Sequence, residues 1–188
     1  MSDIASRKAA ARMHAFAARA EAHAEGLDGR ACAALQVFLA EQPAAEIIAG
    51  YMAIRTEVNP LSVMTALHRA GKTLCVPVVM GAGRALAFSR WTPEGPLVKG
   101  AFGAMVPAHE DFLQPDLLIA PLVAFDNNGH RLGYGGGFYD RSLVHLRAQK
   151  PVRMIGFAYS AQALPALPTE PTDQPLDAVV TENGALWF

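Results

Sequence analysis

DLLIAPLVAFDNNGHRLGYGGGFYDRSLVHLR, residues 116–147, passes from strand to turn to glycine-rich loop to helix, and that succession decides the fold. Asp116 to Phe125 is the most apolar run in the chain and reads as one strand buried on both faces. Asp126, Asn127, Asn128 and Gly129 then make a turn. Gly133, Gly135, Gly136 and Gly137 follow, and FYDRSLVHLR (Phe138 to Arg147) reads as a helix. Four glycines in five positions remove Cβ atoms and permit positive φ, so backbone N–H groups can converge on an anion. The helix behind them aims its free N–H groups and its dipole at the same point. Arg131 and Arg141 add full charges. Flexible linkers are rich in Gly and Ser, whereas Tyr134, Phe138 and Tyr139 border this loop, so it reads as a phosphate-binding loop.

The glycines alone do not name the ligand. No Lys-Ser or Lys-Thr follows them, which excludes the Walker pattern. Gly133 and Gly135 fit G-x-G-x-x-G, but Phe138 stands at its third glycine. No Asp or Glu lies between Arg141 and Thr169 to hold a ribose, so a standard dinucleotide fold is also disfavoured.

Outward from this stretch, strand and helix patterns alternate. Ala5 to Glu25 reads as a helix with Met13, Phe16, Ala20 and Leu27 on one face and Lys8, Arg12 and Arg19 on an adjacent stripe. Gly26 and Gly29 end it, and Asp28 is placed to cap a second helix, Arg30 to Ala40. EIIAGYMAI (Glu46 to Ile54) reads as a strand. Asn59 and Pro60 suit the start of a helix over Leu61 to Ala70. Further strands are expected at Thr73 to Val79, Ala85 to Trp91, Met154 to Tyr159 and Asp177 to Glu182, with a Pro/Gly-punctuated loop between Trp91 and Pro107. Four prolines, Pro165, Pro168, Pro171 and Pro175, mark a loop before the last strand. Strand–helix–strand repetition predicts an α/β fold around a mainly parallel sheet. No repeat and no linker divides the chain, so residues 1–188 are expected to form one domain.

The chain has 188 residues, 52% hydrophobic and 18% charged, with a formal net charge of −1, which fits a globular enzyme and excludes wholesale disorder. No basic stripe is long enough to track a nucleic-acid backbone. No run of about 18 apolar residues is present, so no membrane span is expected. Ile4 to Ala20 is rich in Ala and Arg and lacks acids, a composition shared with transit peptides, yet it has no apolar core for a secretory signal. A cytoplasmic location is expected. Cys32 and Cys75 lack metal-ligand spacing and read as buried thiols. His109, His130 and His145 form no metal cluster by spacing.

The run AFDNNGHRLGYGGGFYDR (Ala124 to Arg141) resembles the signature of the 5-formyltetrahydrofolate cyclo-ligase family, close to F-D-x-x-G-x-R-[LI]-G-x-G-x-G-[FY]-Y-D, and matches each fixed position. Lys8-x-x-x-Arg12, YMAIRTEVNP (Tyr51 to Pro60), GKTLCVP (Gly71 to Pro77) and PTDQPLDAVVTE (Pro171 to Glu182) resemble further family segments in the same order. The resemblance implies a three-layer α/β/α sandwich and the ATP- and Mg²⁺-dependent closure of 5-formyltetrahydrofolate to 5,10-methenyltetrahydrofolate, with ATP as co-substrate. A monomer is expected, although the sequence itself does not reveal the oligomeric state. The resemblance also implies an ATP site from Lys8, Ala9, Ala10, Ala11 and Arg12 together with Arg131, Leu132, Gly133, Tyr134, Gly135, Gly136, Gly137, Phe138 and Tyr139. Catalytic charge would come from Lys8, Arg12 and Arg131. Met52 and Glu57 would meet the folate, along with Tyr134 to Phe138, and Asp140 and Asp173 would hold the metal. On spacing alone, Lys8 and Arg12 also read as a solvated helix face, Asp140 as a first-turn acid, and Asp173 and Glu57 as loop carboxylates. Two positions depart from the family pattern: Val106 stands where Glu often precedes Pro, and Asn59 where Asp is frequent.

Overall fold

A seven-stranded sheet organises the computed structural model, which describes residues 4–188. α1 (Ile4–Ala24) and α2 (Asp28–Ala40) precede β1 (Ile47–Ala49). α3 (Leu61–Arg69) leads to β2 (Thr73–Val79), which turns back as β3 (Leu86–Trp91). A small hairpin, β4 (Leu97–Lys99) and β5 (Met105–Pro107), comes before β6 (Leu117–Pro121). A second hairpin, β7 (Ala124–Phe125) and β8 (Arg131–Leu132), carries the glycine loop into α4 (Phe138–Arg147). β9 (Arg153–Phe157), β10 (Ala178–Thr181) and β11 (Gly184–Trp187) complete the order.

The sheet runs β11-β10-β9-β6-β1-β2-β3, with the five inner strands parallel and both edge strands antiparallel. Its inner strands are buried on both faces, which is why they read as unbroken apolar runs. Leu117 and Ile119 of β6 pack with Leu35 and Phe38 of α2 and Val63 and Met64 of α3. Leu118 and Ala120 pack on the other side with Leu143 and Leu146 of α4. Helices on both faces make an α/β sandwich. β1 connects through α3 to β2 on one side, while β6 connects through α4 to β9 on the other. The direction of winding therefore reverses between β1 and β6, and the crevice beyond their carboxyl ends is where such a sheet receives ligands.

Several elements differ from the sequence expectation for identifiable reasons. The run from Asp116 to Phe125 is not one strand: the chain leaves the sheet after Pro121. The Leu122 and Val123 carbonyls accept from the Gln162 amide at 2.9 and 3.0 Å, and β7 turns into its hairpin. In Glu46 to Ile54 only three residues are strand, because the chain peels off at Gly50, where a Cβ would strike Met64 Sδ at 2.4 Å. Asp28 does not cap α2; it lies within the helix and accepts from the Tyr159 hydroxyl at 2.6 Å. Pro60 rather than Asn59 occupies the N-cap of α3, and Asn59, one residue earlier, accepts from the Leu61 N–H at 3.0 Å. The face of α1 is also other than expected. Met13 is 74% exposed, whereas Ala15 and Ala22 are buried together with two cations of the basic stripe, Lys8 and Arg19. Cys32 and Cys75 are buried free thiols.

Candidate active site

The crevice at the reversal point opens into a cleft of about 1390 Å³. Pockets for one small ligand are commonly about 300–1,000 Å³, so this cleft has room for two. β1 delivers Tyr51, Met52 and Glu57 to it; β6, through the second hairpin, delivers Arg131 to Arg141; α1 adds Lys8 and Arg12; the proline-rich loop adds Glu170 to Gln174. Phe102, from the β4–β5 connection, stands at the lip with its ring 6.0 Å from that of Phe138. Val106, at the family-variant position, also lines the cleft.

The glycine loop has the geometry that an anion nest requires. Gly135 has φ +98° and Gly137 φ +62°, values that L side chains rarely adopt. A Cβ on Gly135 would also come within 3.4 Å of the Arg12 guanidinium. Gly137 precedes α4 without any side-chain cap, so the first N–H groups of that helix face the loop free of an internal acceptor. Arg12 ties α1 to the loop, donating from Nε to the Gly133 carbonyl at 2.8 Å.

Two charged clusters border the loop. Lys8 Nζ donates to Glu170 Oε2 and Asp173 Oδ2, both at 2.7 Å, with its side chain 9% exposed. Burial alone would press this ammonium down, but Asp173 and Glu170 outweigh it and hold the pKa above its usual value. Arg131 donates to Asp140 Oδ1 at 2.7 Å and to the Gln174 carbonyl, and the Gln174 N–H donates to the same Asp140 oxygen at 3.0 Å. Asp140 is joined to the chain neighbour of Asp173 through Gln174, and each of the two carboxylates is engaged through a single oxygen. Among the described residues there is no group of three His, Cys, Asp or Glu that could hold a metal. Two carboxylates beside a phosphate loop fit a magnesium ion, which binds through one or two carboxylates, phosphate oxygens and water.

At the far end Glu57 is 5% exposed. Its Oε2 accepts from the Ile54 N–H at 2.9 Å and its Oε1 from the Tyr134 hydroxyl at 3.1 Å. Burial pushes this carboxyl up from its ordinary value; the Ile54 N–H, Arg19 and Tyr134 offset part of the rise. Arg19, 1% exposed, lies beneath both, donating to the Tyr134 oxygen at 3.0 Å and to Thr56 Oγ1 at 3.1 Å, 3.9 Å from Glu57.

Of the residues named from sequence, Lys8, Arg12, Met52, Glu57, Arg131 to Tyr139, Asp140 and Asp173 all line the cleft. Ala9, Ala10 and Ala11 do not. At about 100° per residue the helix carries them away from the face it shares with Lys8 and Arg12, and Ala11 packs with Ala15 and Leu132 instead. Sequence reasoning missed Glu170, Gln174 and Arg19. The first two sit in a loop without periodicity, but Arg19 belonged to a visible stripe whose burial was not foreseen. His130 hydrogen-bonds Asp126 at 3.1 Å, and His145 lies along the cleft.

A doubly wound sheet with a ligand cleft at its reversal point, a glycine nest and converging cations defines an α/β enzyme. The profile of the 5-formyltetrahydrofolate cyclo-ligase family matches residues 5–182, and the chain belongs to that family of ligases. It is 38% identical to the 5-formyltetrahydrofolate cyclo-ligase of Escherichia coli K12 over 146 residues, covering 74% of this chain and 79% of that one. Over 144 residues it is 36% identical to the Haemophilus influenzae protein of the same name, covering 73% and 76%. Its fold matches that of the 5,10-methenyltetrahydrofolate synthetase of Aquifex aeolicus with a TM-score of 0.77 at 30% identity, over 96% of this chain and 92% of that one. The corresponding Mycoplasma pneumoniae structure matches with a TM-score of 0.72 at 26% identity, over 93% and 98%.

Proposed function

We propose that this chain acts as one domain to close 5-formyltetrahydrofolate to 5,10-methenyltetrahydrofolate, consuming ATP with magnesium and releasing ADP and phosphate. The observation that carries this reading is the two-ended cleft, with cations and a glycine nest at one end and a buried carboxylate at the other. A formamide carbon is a poor electrophile and its oxygen a poor leaving group. Attack of the formyl oxygen on the γ-phosphorus releases ADP and converts that oxygen into a phosphate ester. N10 then bonds to the activated carbon, the C–O bond breaks, phosphate departs, and N10 gives up its proton. Lys8, Arg12, Arg131 and the N–H groups from Gly133 to Tyr139 would bind and neutralise the phosphates, supplying positioning and electrostatic stabilisation. Asp140 and Asp173 would hold magnesium, whose charge when bound would offset that of the phosphate oxygens. Glu57 would accept from the pterin ring N–H and amino groups, with Met52 and Tyr134 to Phe138 packed against the ring.

An absorbance assay tests this. Purified protein with 5-formyltetrahydrofolate, ATP and Mg²⁺ is expected to generate the near-ultraviolet band of the methenyl product, and omission of either ATP or Mg²⁺ to abolish it. Asp140→Asn is expected to lower turnover far more than folate binding. Folded wild-type protein that yields no product in the complete mixture would exclude the proposal.

A further inference from the structure

Arg19 lies outside the cleft lining and outside every motif that carries the family resemblance, yet it is among the largest fully buried side chains described. A buried guanidinium needs a reason, because its desolvation is costly unless it is paired and hydrogen-bonded. Its partners converge on one end of the cleft. Nη2 donates to the Tyr134 oxygen at 3.0 Å, and that hydroxyl in turn donates to Glu57 Oε1 at 3.1 Å. Nη1 stands 3.9 Å from the same Glu57 oxygen and donates to the Leu122 carbonyl at 3.5 Å. Nε donates to Thr56, the neighbour of Glu57 in the chain. The guanidinium carbon also lies 5.7 Å from the centre of the Tyr134 ring, as does that of Arg55, a residue held at φ +54°.

The geometry points to Arg19 as a positioning residue: from α1 it fixes the Tyr134 hydroxyl and the Glu57 carboxylate in one array, and so sets the shape and charge of the subsite for a reduced pterin. This assignment rests on the function proposed above. Three features separate it from a purely structural arginine. The array has a single full cation within it, buried where screening by solvent is weakest. The same helix carries Lys8 and Arg12 toward the phosphate end, while Arg19 meets the glycine loop only through the Tyr134 side chain, which faces Glu57. The other titratable groups facing Glu57 cannot replace it: Arg55, on the same segment, is exposed, and Tyr51 after β1, Tyr134 from the glycine loop and Tyr139 of α4 carry no positive charge. Without Arg19 the Glu57 carboxylate would retain its burial and lose its nearest opposite charge, which favours protonation.

The test compares Arg19→Met, Arg19→Lys and Tyr134→Phe with wild type. In ligand-free protein, ¹³C NMR titration of the Glu57 carboxyl is expected to move upward by about one pH unit or more in Arg19→Met and by less in Arg19→Lys, which keeps the charge. In turnover, Arg19→Met is expected to raise the KM for 5-formyltetrahydrofolate about tenfold or more while leaving the KM for ATP within about twofold. The acid limb of kcat/KM for the folate is expected to shift to higher pH with the NMR titration. Arg19→Lys is expected to bring that limb back but not the KM, since an ammonium lacks the planar fork. An unmoved Glu57 titration in Arg19→Met, or equal rises in both KM values, overturns the assignment. Should Arg19→Met fail to fold, Tyr134→Phe decides. It removes the central hydroxyl and is expected to raise both the Glu57 titration and the folate KM, and no movement in either overturns the assignment. The NMR arm contains no folate, so failure of wild type to form methenyl product would count against the proposed reaction and leave the electrostatic result standing.

Discussion

Lys8 holds two carboxylates on one ammonium, with Glu170 and Asp173 both at 2.7 Å. In the proposed reaction an incoming phosphate would take the place of at least one of them, and the carboxylates would hold the lysine in position until it does. Glu170 is the more exposed partner, and a pair of that kind contributes roughly 0–1 kcal/mol. Glu170→Gln is therefore expected to lower the KM for ATP by roughly two- to fivefold, because phosphate then faces one competitor fewer. Lys8→Met is expected to act the other way. A charge-assisted hydrogen bond contributes about 1.5–3 kcal/mol, which is roughly a ten- to hundredfold loss in kcat/KM for ATP. Initial rates against ATP concentration check both, and movement of the two variants in the same direction would count against Lys8 as a phosphate ligand.

At the level of elements, what sequence could specify depended on whether a signal was local. α4 begins and ends where its sequence pattern places it, at Phe138 and Arg147, because its glycines and its periodicity are both local. β2 likewise follows its apolar run from Thr73 to Val79. The antiparallel edge strand β11 went unforeseen although Asn183-Gly184, with Gly184 at φ +112°, is a hairpin signal. The β4–β5 hairpin gave little warning, since three-residue strands carry no readable alternation. The break after Pro121 and the inward turn of Lys8 and Arg19 depend on Gln162, Glu170, Tyr134 and Glu57, all more than 35 residues away, so neither was available from local pattern. The glycine loop was legible because its glycines stand together in the sequence, two of them, Gly135 and Gly137, at positive φ. Gly135→Ala tests the need for glycine there: at φ +98°, with its Cβ 3.4 Å from Arg12, it is expected to weaken ATP binding about tenfold. Gly71→Ala, at φ +89° in open space on the α3–β2 turn, imposes similar backbone strain away from the cleft. It is expected to lower Tm comparably and to leave ATP binding unchanged; calorimetry of unfolding and of ATP binding separates the two.

Across the whole molecule, acid stability is set by carboxylates that pull in opposite directions. Asp126 is buried, which would raise its pKa, but N–H groups of Leu167, Asn128 and His130 and the His130 ring outweigh that and hold it below its usual value. Asp116 is held low in the same manner by Lys150 and by the N–H groups of Ile47 and Glu46, tying β1, β6 and the α4–β9 turn together. A depressed pKa stabilises the fold above the unfolded value, 3.8 for Asp, and that stability is lost as pH falls through the folded value. Glu57 is raised above its unfolded value of 4.5, chiefly by burial. The fold therefore binds its proton more tightly than the unfolded chain does, and stability falls as pH rises through the folded value. The two windows do not coincide. Urea midpoints of the wild type are expected to rise as pH is lowered through the folded Glu57 value toward 4.5, and then to fall as Asp116 and Asp126 are protonated below 3.8. Glu57→Gln is expected to remove the rise and keep the acid collapse, because Asp116 and Asp126 are untouched. Asp126→Asn presents an amide group to N–H donors and is expected to cost about 1–3 kcal/mol at pH 7 and to soften the collapse. Wild-type and Glu57→Gln curves that ran parallel from neutral pH down to 4.5 would show that the Glu57 site is not a site of opposing strain. If the curves diverge as expected, the carboxylate proposed to read the substrate is also one the fold would be more stable without, a conflict that favours function rather than packing at this position.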